Sequence, residues 1–137
     1  MNKIDAHLHY HGEHADNIDF LKRMNMKLLN ICVSQDTAGA WRKQADFYTD
    51  LQMRFPEQFA WITSFDLPDF SSDYADRVVE GLQKDFNAGA TGCKVWKNVG
   101  MEVKTPSGEF VMVDDPLFDP IWEFLTREDR TLLMHIG

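Results

Sequence analysis

Ile4-Asp5-Ala6-His7-Leu8-His9-Tyr10 is the stretch around which this chain is organised. Apolar and polar residues alternate along it with a period of two, which is typical of a β-strand. We therefore expect Asp5, His7 and His9 to share one face of the strand, with the apolar residues on the other. Neutral imidazole is the commonest metal ligand in proteins, so the two histidines are candidates to bind one ion. Taken alone, the pair fits two ordinary surface histidines better.

A second candidate lies at the other end of the sequence. Thr131–Gly137 (TLLMHIG) has the pattern of a buried strand that ends in a histidine, His135. Parallel α/β proteins build their functional sites at the carboxyl ends of strands. Histidines at the ends of two such strands favour a shared site over two unrelated surface positions.

Strand and helix patterns alternate between these two ends. Near-continuous apolar runs suit strands that are buried on both faces, and amphipathic segments of helical period follow them. The predicted strands cover residues 3–9, 27–33, 59–65, 91–96 and 131–136. This alternation predicts an α/β fold with one parallel sheet in sequential order, right-handed crossovers and helices on the outer face.

Turn and capping residues give approximate bounds for the helices. Trp41 and Tyr48 fall on a helical spacing and are expected in the core. The predicted helices cover residues 19–26, a segment from capping residues 34–37 to residue 55, residues 71 or 72 to 87, and a segment that begins at Asp114 or Asp115 with Pro116 in its first turn.

Composition bounds the function. With 137 residues, 44% hydrophobic and 26% charged, the chain suits one globular domain. A formal net charge of −8 repels nucleic acid and anionic membranes, so we expect neither as a partner. Cys32 and Cys93 are expected to be free buried thiols. Together with the lack of a signal-peptide pattern or a long apolar run, they predict a cytoplasmic location.

Several motifs together resemble the amidohydrolase superfamily, and within it the amidohydrolase 2 group of metal-dependent TIM-barrel hydrolases and non-oxidative decarboxylases. They are the strand Ile4–His9 (IDAHLH), Lys94–Asn98 (KVWKN), the helix start from Asp115 to Trp122, and Leu133–Gly137 (LMHIG). The resemblance covers essentially the whole chain. It implies a (β/α)8 barrel with a divalent metal ion, usually zinc, at the carboxyl ends of its strands.

Residue by residue, the resemblance implies that His7, His9 and His135 are metal ligands. Family members also use a histidine after the sixth strand and an aspartate after the eighth, and the aspartate moves the proton. Neither has a counterpart here, so the catalytic residue is unknown. A whole barrel takes roughly 250 residues. We therefore expect residues 1–137 to be the N-terminal part of a single amidohydrolase-type TIM-barrel domain, with its first five strands, and to be inactive alone.

Four residues of the fourth strand and its end are candidates for substrate binding. Lys94 interrupts an apolar strand, and it could pair with a buried carboxylate such as Asp5, bind a substrate carboxylate, carry a carbamate that bridges two metal ions as in some superfamily members, or point outward. We favour an inward substrate-binding or structural role. Trp96 shares its strand parity and could line the pocket, although core packing is commoner for tryptophan. Lys97 and Asn98 could touch substrate or belong to a solvated loop.

The longest connection follows the fourth strand, from Gly100 to Val113. Glu102–Lys104, Thr105–Gly108 and Glu109–Val113 have the pattern of a small β-hairpin. Because it follows a strand, we expect this insertion to lie over the metal-side mouth as a lid or pocket rim. Its deletion is then expected to alter substrate preference more than stability.

The expected function is that of a metal-dependent hydrolase. It would act on a small carbonyl substrate, a lactone, amide or ester, through hydroxide on a single bound ion. The alternatives are a metal-dependent decarboxylase of a small carboxylic acid and a non-catalytic barrel fragment. Such a fragment would self-associate as a homo-oligomer, because unpaired sheet edges recruit other chains.

Overall fold

The structure contains one five-stranded parallel sheet. The computed structural model describes residues 1–12, 14–36 and 39–135. Thr37, which belongs to the predicted capping segment, lies outside the described residues. So do Ile136, the last residue of the predicted fifth strand, and Gly137. The strands are β1 (Lys3–Leu8), β2 (Met26–Ile31), β3 (Phe59–Ser64), β4 (Gly92–Val95) and β5 (Thr131–Met134).

Each strand pairs with its neighbours in sequence, in the order β1-β2-β3-β4-β5, and every pairing is parallel. The predicted α/β class, strand order and strand direction are therefore confirmed. Each strand ends one or two residues before its predicted end.

Helices connect successive strands. In the described ranges they are α1 (Ala15–Met24), α2 (Arg42–Arg54), α3 (Tyr74–Asn87), the single turn α4 (Asn98–Met101), a 3-10 helix (Pro116–Phe118) and α5 (Asp119–Arg127). In α3 the side chains at four-residue intervals, Tyr74, Val78, Leu82 and Phe86, are all buried. This apolar stripe explains why the segment is helical and which face meets its neighbours.

The core lies between the sheet and these helices. Trp41 and Tyr48 are buried there, as predicted. Cys32 and Cys93 are free and completely buried, which also confirms the prediction. Burial raises the pKa of both thiols well above the usual range, so they act as small apolar side chains rather than as nucleophiles.

The sheet is strongly curled, like half of a barrel. In a flat sheet the four strand spacings of about 4.8 Å would hold β1 and β5 roughly 19 Å apart. The ring centres of His7 on β1 and His135 after β5 are only 5.9 Å apart. Because the two rings lie on opposite edge strands, the sheet must bend so that its concave face encloses them.

The prediction that Asp5 shares a strand face with His7 and His9 is wrong. Asp5 pairs with Leu28 and Leu8 pairs with Asn30, so β1 carries one extra residue between these two pairs. Paired residues of neighbouring strands share a face, and Leu28 belongs to the core beneath the helices. Asp5 therefore lies on the helix side, while His7, next to Leu8, lies on the concave side.

Several helix starts also differ from the predicted ones. The first helix begins at Ala15 rather than at residue 19, and α2 and α3 have no side-chain N-cap bond. Ser71, one of the two residues expected to cap α3, binds outside the helix instead: its Oγ donates to Asp69 Oδ1 at 2.6 Å. Among the predicted caps in the described ranges, Asp115 is confirmed, since its Oδ1 accepts a hydrogen bond from the Leu117 N–H at 2.9 Å.

The Gly100–Val113 connection is anchored in the core instead of forming a free hairpin. Its strands reduce to a single antiparallel bridge between Lys104 and Phe110. Val111 is completely buried, and its N–H donates to the Val103 carbonyl at 2.9 Å. We therefore expect a deletion here to cost more stability than the sequence pattern implied. None of the helices in the described ranges has the length and apolar character needed to cross a bilayer.

Candidate functional site

Three imidazole rings from opposite ends of the chain meet at the carboxyl end of the sheet. The ring centres of His7 and His9 are 5.5 Å apart with planes near perpendicular at 81°. Those of His7 and His135 are 5.9 Å apart and nearly parallel at 16°. The three predicted metal ligands are thus brought together, because His7 and His9 flank Leu8 at the end of β1 and His135 directly follows β5.

The ring of His9 is held in one orientation. Its Nδ1 lies 2.7 Å from the carbonyl oxygen of Ile31 on β2. A carbonyl can only accept, so Nδ1 donates, and Nε2 is the nitrogen left to face a metal ion. Metal-binding histidines commonly make this kind of bond through their second nitrogen, which fixes the tautomer. Sequence patterns gave no sign of it, because Ile31 contributes only its backbone.

The other two histidines favour the neutral form. The pKa of His7 is lowered mainly by burial, and then by the charges of Lys94 and His9, while Asp5 opposes the shift. The pKa of His135 is lowered by burial, then by the charges of Lys94, His7 and Lys97. Since a metal ligand must be unprotonated, both rings are in the appropriate form at neutral pH.

The three imidazoles are suitable ligands for a divalent ion, although their rings lie slightly too far apart to share one in the present geometry. Imidazoles that share a tetrahedral ion at about 2.0–2.1 Å have ring centres roughly 5 Å apart. The two measured separations are slightly wider, and within the described ranges no group of three or more His, Cys, Asp or Glu side chains has the arrangement of a preformed metal site. His7 and His135 are exposed, so small rotations of their rings would narrow the gap.

Lys94 lies beneath this cluster. Its neighbours Cys93 and Val95 belong to the core on the helix side, so Lys94 faces the concave side of the sheet. It is only 2% exposed. Across the described ranges, no hydrogen bond or ion pair reaches its ammonium group, so the predicted pairing with Asp5 is absent. Burial lowers the pKa of Lys94.

Trp96 forms the wall between the cluster and a neighbouring cavity. Its ring centre lies 5.1 Å from that of His135 and 6.2 Å from that of His9. The cavity has a volume of about 480 Å³. Its lining comes from the end of β4, from β5 and from the Gly100–Val113 connection, and includes Trp96, Lys97, Met101, Met112, Met134 and His135. The interpretation of Trp96 as a pocket residue therefore agrees with its position.

The remaining candidates differ in their positions. Lys97 is exposed and lines the cavity. Asn98 is bound into its own turn, where its side-chain nitrogen donates to Glu102, so it serves the local structure. The other two histidines of the chain, His11 and His14, lie in the segment between β1 and α1 and are exposed.

The sequence interpretation did not single out the methionines of the cavity. Met101 and Met112 lie in the connection that was expected to rim the mouth, and Met134 lies one residue before a predicted ligand. In the structure these three side chains are about half exposed although they are apolar. A single sequence does not show which apolar side chains are exposed, so it gave no signal for them. The chain matches no model of a known protein family, and no curated protein is significantly similar to it.

Proposed function

We propose that this chain is the N-terminal part of a TIM-barrel enzyme that hydrolyses a small carbonyl compound, a lactone, amide or ester, with the help of a divalent metal ion. The observation that carries the proposal is the meeting of His7, His9 and His135 at the carboxyl end of a curled parallel sheet. That is the edge where parallel α/β enzymes place their chemistry. Zinc suits three imidazole donors best.

The chain's own residues would divide the work as follows. His7, His9 and His135 would hold the ion, which when bound acidifies water and polarises a carbonyl. The Ile31 carbonyl would keep the His9 ring in its metal-binding tautomer. Trp96 would exclude water from one side and orient the substrate. Hydrolysis adds water across the carbonyl carbon and the leaving oxygen or nitrogen, and the described residues supply no evident carrier for that proton.

Zinc titration tests the ligand set. We expect one ion per chain in the wild type, with affinity at least about tenfold weaker in His7→Ala, His9→Ala and His135→Ala, because each variant removes one of three donors. His14→Ala is the matched control, since it removes an exposed imidazole outside the cluster. Equal affinity in all four variants would refute the site. Two ions per chain would favour a carbamate on Lys94 instead.

Decarboxylation of a small carboxylic acid is the second candidate. The unpaired ammonium group of Lys94 favours it, because a cation beside the cluster suits an acidic substrate. The two reactions are separated by their products. A protein that extends this chain to a complete barrel would be incubated with lactones, amides, esters and aromatic acids. Ring opening or ester cleavage without release of carbon dioxide supports the hydrolase, and release of carbon dioxide overturns it.

A further inference from the structure

We propose that the substrate carries a carboxylate group, and that Lys94 and Trp96 bind this group beside the histidine cluster. The inference rests on the proposed function for the identity of the site. It goes further by naming the charged group of the substrate and the two side chains that recognise it.

The first argument is the unpaired charge of Lys94. Two charged residues are buried in the described ranges, Asp85 and Lys94. Asp85 is fully paired, since Arg42 Nη1 donates to its two oxygens at 2.8 and 2.6 Å and Thr63 also donates to it. The ammonium group of Lys94 has no such partner in the described part of the chain. A buried charge without a partner is costly, so a site that keeps one is suited to a ligand of opposite charge.

The second argument is an unsatisfied donor on Trp96, the residue that directly follows β4. Trp96 Nε1 is buried and has no hydrogen-bond partner among the described residues. Buried N–H groups are almost always paired, so this one also needs an acceptor. Lys94 and Trp96 are two positions apart in sequence, so their Cα atoms are at most about 7 Å apart, and the ring of Trp96 lies beside the imidazoles of His9 and His135. Long side chains can converge over that distance on the two oxygens of one carboxylate.

The third argument is the charge balance of the cluster. Asp5 lies on the opposite face of β1 and does not balance the charge of Lys94. An ion held by the three histidines would add to this positive charge. An anionic ligand would be attracted by both charges, whereas a neutral ligand would be attracted by neither.

The cavity beside Trp96 indicates what the carboxylate is attached to. Its volume of about 480 Å³ and its methionine side chains suit an apolar body such as an aromatic ring. Benzoate therefore serves as a probe, because it joins a carboxylate directly to an aromatic ring. Benzamide has nearly the same shape and no charge, and so provides the matched neutral ligand.

The test is calorimetric titration of the metal-free chain at neutral pH with both compounds. Metal-free protein is used so that direct binding of benzoate to zinc cannot contribute. We expect benzoate to bind at least about tenfold more tightly than benzamide, because hydrogen bonds to a charged carboxylate are stronger than those to a neutral amide. Equal affinity for the two compounds, or no binding of benzoate, would overturn the proposal.

Variants assign the preference to particular side chains. Lys94→Met should abolish it, and Trp96→Phe should reduce it a few-fold by removing the N–H while keeping a ring. Lys43→Met is the control, because it removes an exposed ammonium group on α2, outside the cavity. Retention of the preference in Lys94→Met, or its loss in Lys97→Met alone, would contradict the assignment. Circular dichroism confirms that each variant is folded.

The same titrations separate this inference from the proposed function. His7→Ala should lose zinc affinity and keep the preference for benzoate. A wild type that fails to bind zinc yet prefers benzoate would refute the metal-dependent function and support the carboxylate site. A wild type that binds one zinc ion and shows no preference would support the metal and refute the carboxylate site.

Discussion

At the scale of single residues, Lys94 is the position where the proposed ligand site and the stability of the chain oppose each other. Its side chain is 2% exposed and its ammonium group has no protein partner in the described ranges. The cost of this charge should be measurable in the unliganded protein.

Replacing Lys94 should stabilise the unliganded chain. We expect Lys94→Met to raise the free energy of unfolding by about 1 kcal/mol or more at neutral pH, because a desolvated charge is replaced by an apolar side chain of similar length. Urea denaturation measures the change. Lys97→Met, at an exposed position, should change it by less than about 0.5 kcal/mol.

The increase in the free energy of unfolding of Lys94→Met should also depend on pH. Burial holds the pKa of Lys94 in the folded chain below that of the unfolded chain. The unfolded chain therefore binds more protons between these two pKa values, and wild-type stability rises with pH through that window. The advantage of Lys94→Met should shrink as the pH approaches the ordinary lysine pKa of about 10.4. An advantage that is constant from neutral to alkaline pH would show that packing, not charge, is responsible.

At the scale of structural elements, the Gly100–Val113 connection is both part of the core and part of the pocket wall. Val111 is completely buried, whereas its neighbour Met112 is 49% exposed and lines the cavity. Of these two adjacent residues, Val111 therefore belongs to the core and Met112 to the pocket wall. Substituting each residue separately measures how much each role contributes to stability.

Val111→Ala should lower the free energy of unfolding by about 2 kcal/mol, because it removes two buried carbon atoms and leaves a small cavity. Met112→Ala should change stability by less than about 0.5 kcal/mol, since its side chain is largely solvated. Thermal and urea denaturation of the two variants give the comparison. If both variants are equally stable, the connection is a lid that the fold does not need.

The elements that sequence patterns predicted well are those with one strong period. β3 and α3 each carry an uninterrupted apolar pattern, and both form where it predicts them. Local signals failed where one extra residue or one distant contact decides the geometry. The register shift after Asp5 changed the face of a carboxylate, and the burial of Val111 depends on packing against remote parts of the chain.

The meeting of three histidines was predictable from the sequence, whereas the surroundings of the candidate site were not. His7, His9 and His135 stand at the ends of the predicted first and fifth strands, and whether they bind a metal ion stays a prediction. The Ile31 carbonyl, the orphan Trp96 N–H and the cavity methionines arise only when the sheet curls, and nothing in the order of the residues shows the degree of curvature.

At the scale of the whole molecule, the sheet has two edges without a partner strand in the described ranges, β1 and β5. Exposed backbone N–H and C=O groups on such edges readily pair with other chains. Met134 on β5 is also 46% exposed, which adds apolar area to one edge. We therefore expect the chain to self-associate when it is studied alone.

Light scattering should give a mass that rises with concentration above the 15.9 kDa of a single chain. Met134→Lys should lower the mass towards that value, because a lysine on an edge strand discourages pairing. Met53→Lys is the control, since Met53 is 70% exposed but lies on α2, away from both edges. A wild type that stays at one chain mass at all concentrations would contradict this expectation.

The sequential order of the strands has a consequence for folding kinetics. Each strand pairs only with the strand before and after it in sequence, so every βα unit can add to the preceding one by closing a short loop. The contact between His7 and His135 is the exception, because it joins the first strand to the last and exists only when all five units are in place. Closure of this contact should therefore be the final event of assembly, and an ion bound there would retard global unfolding rather than local fraying.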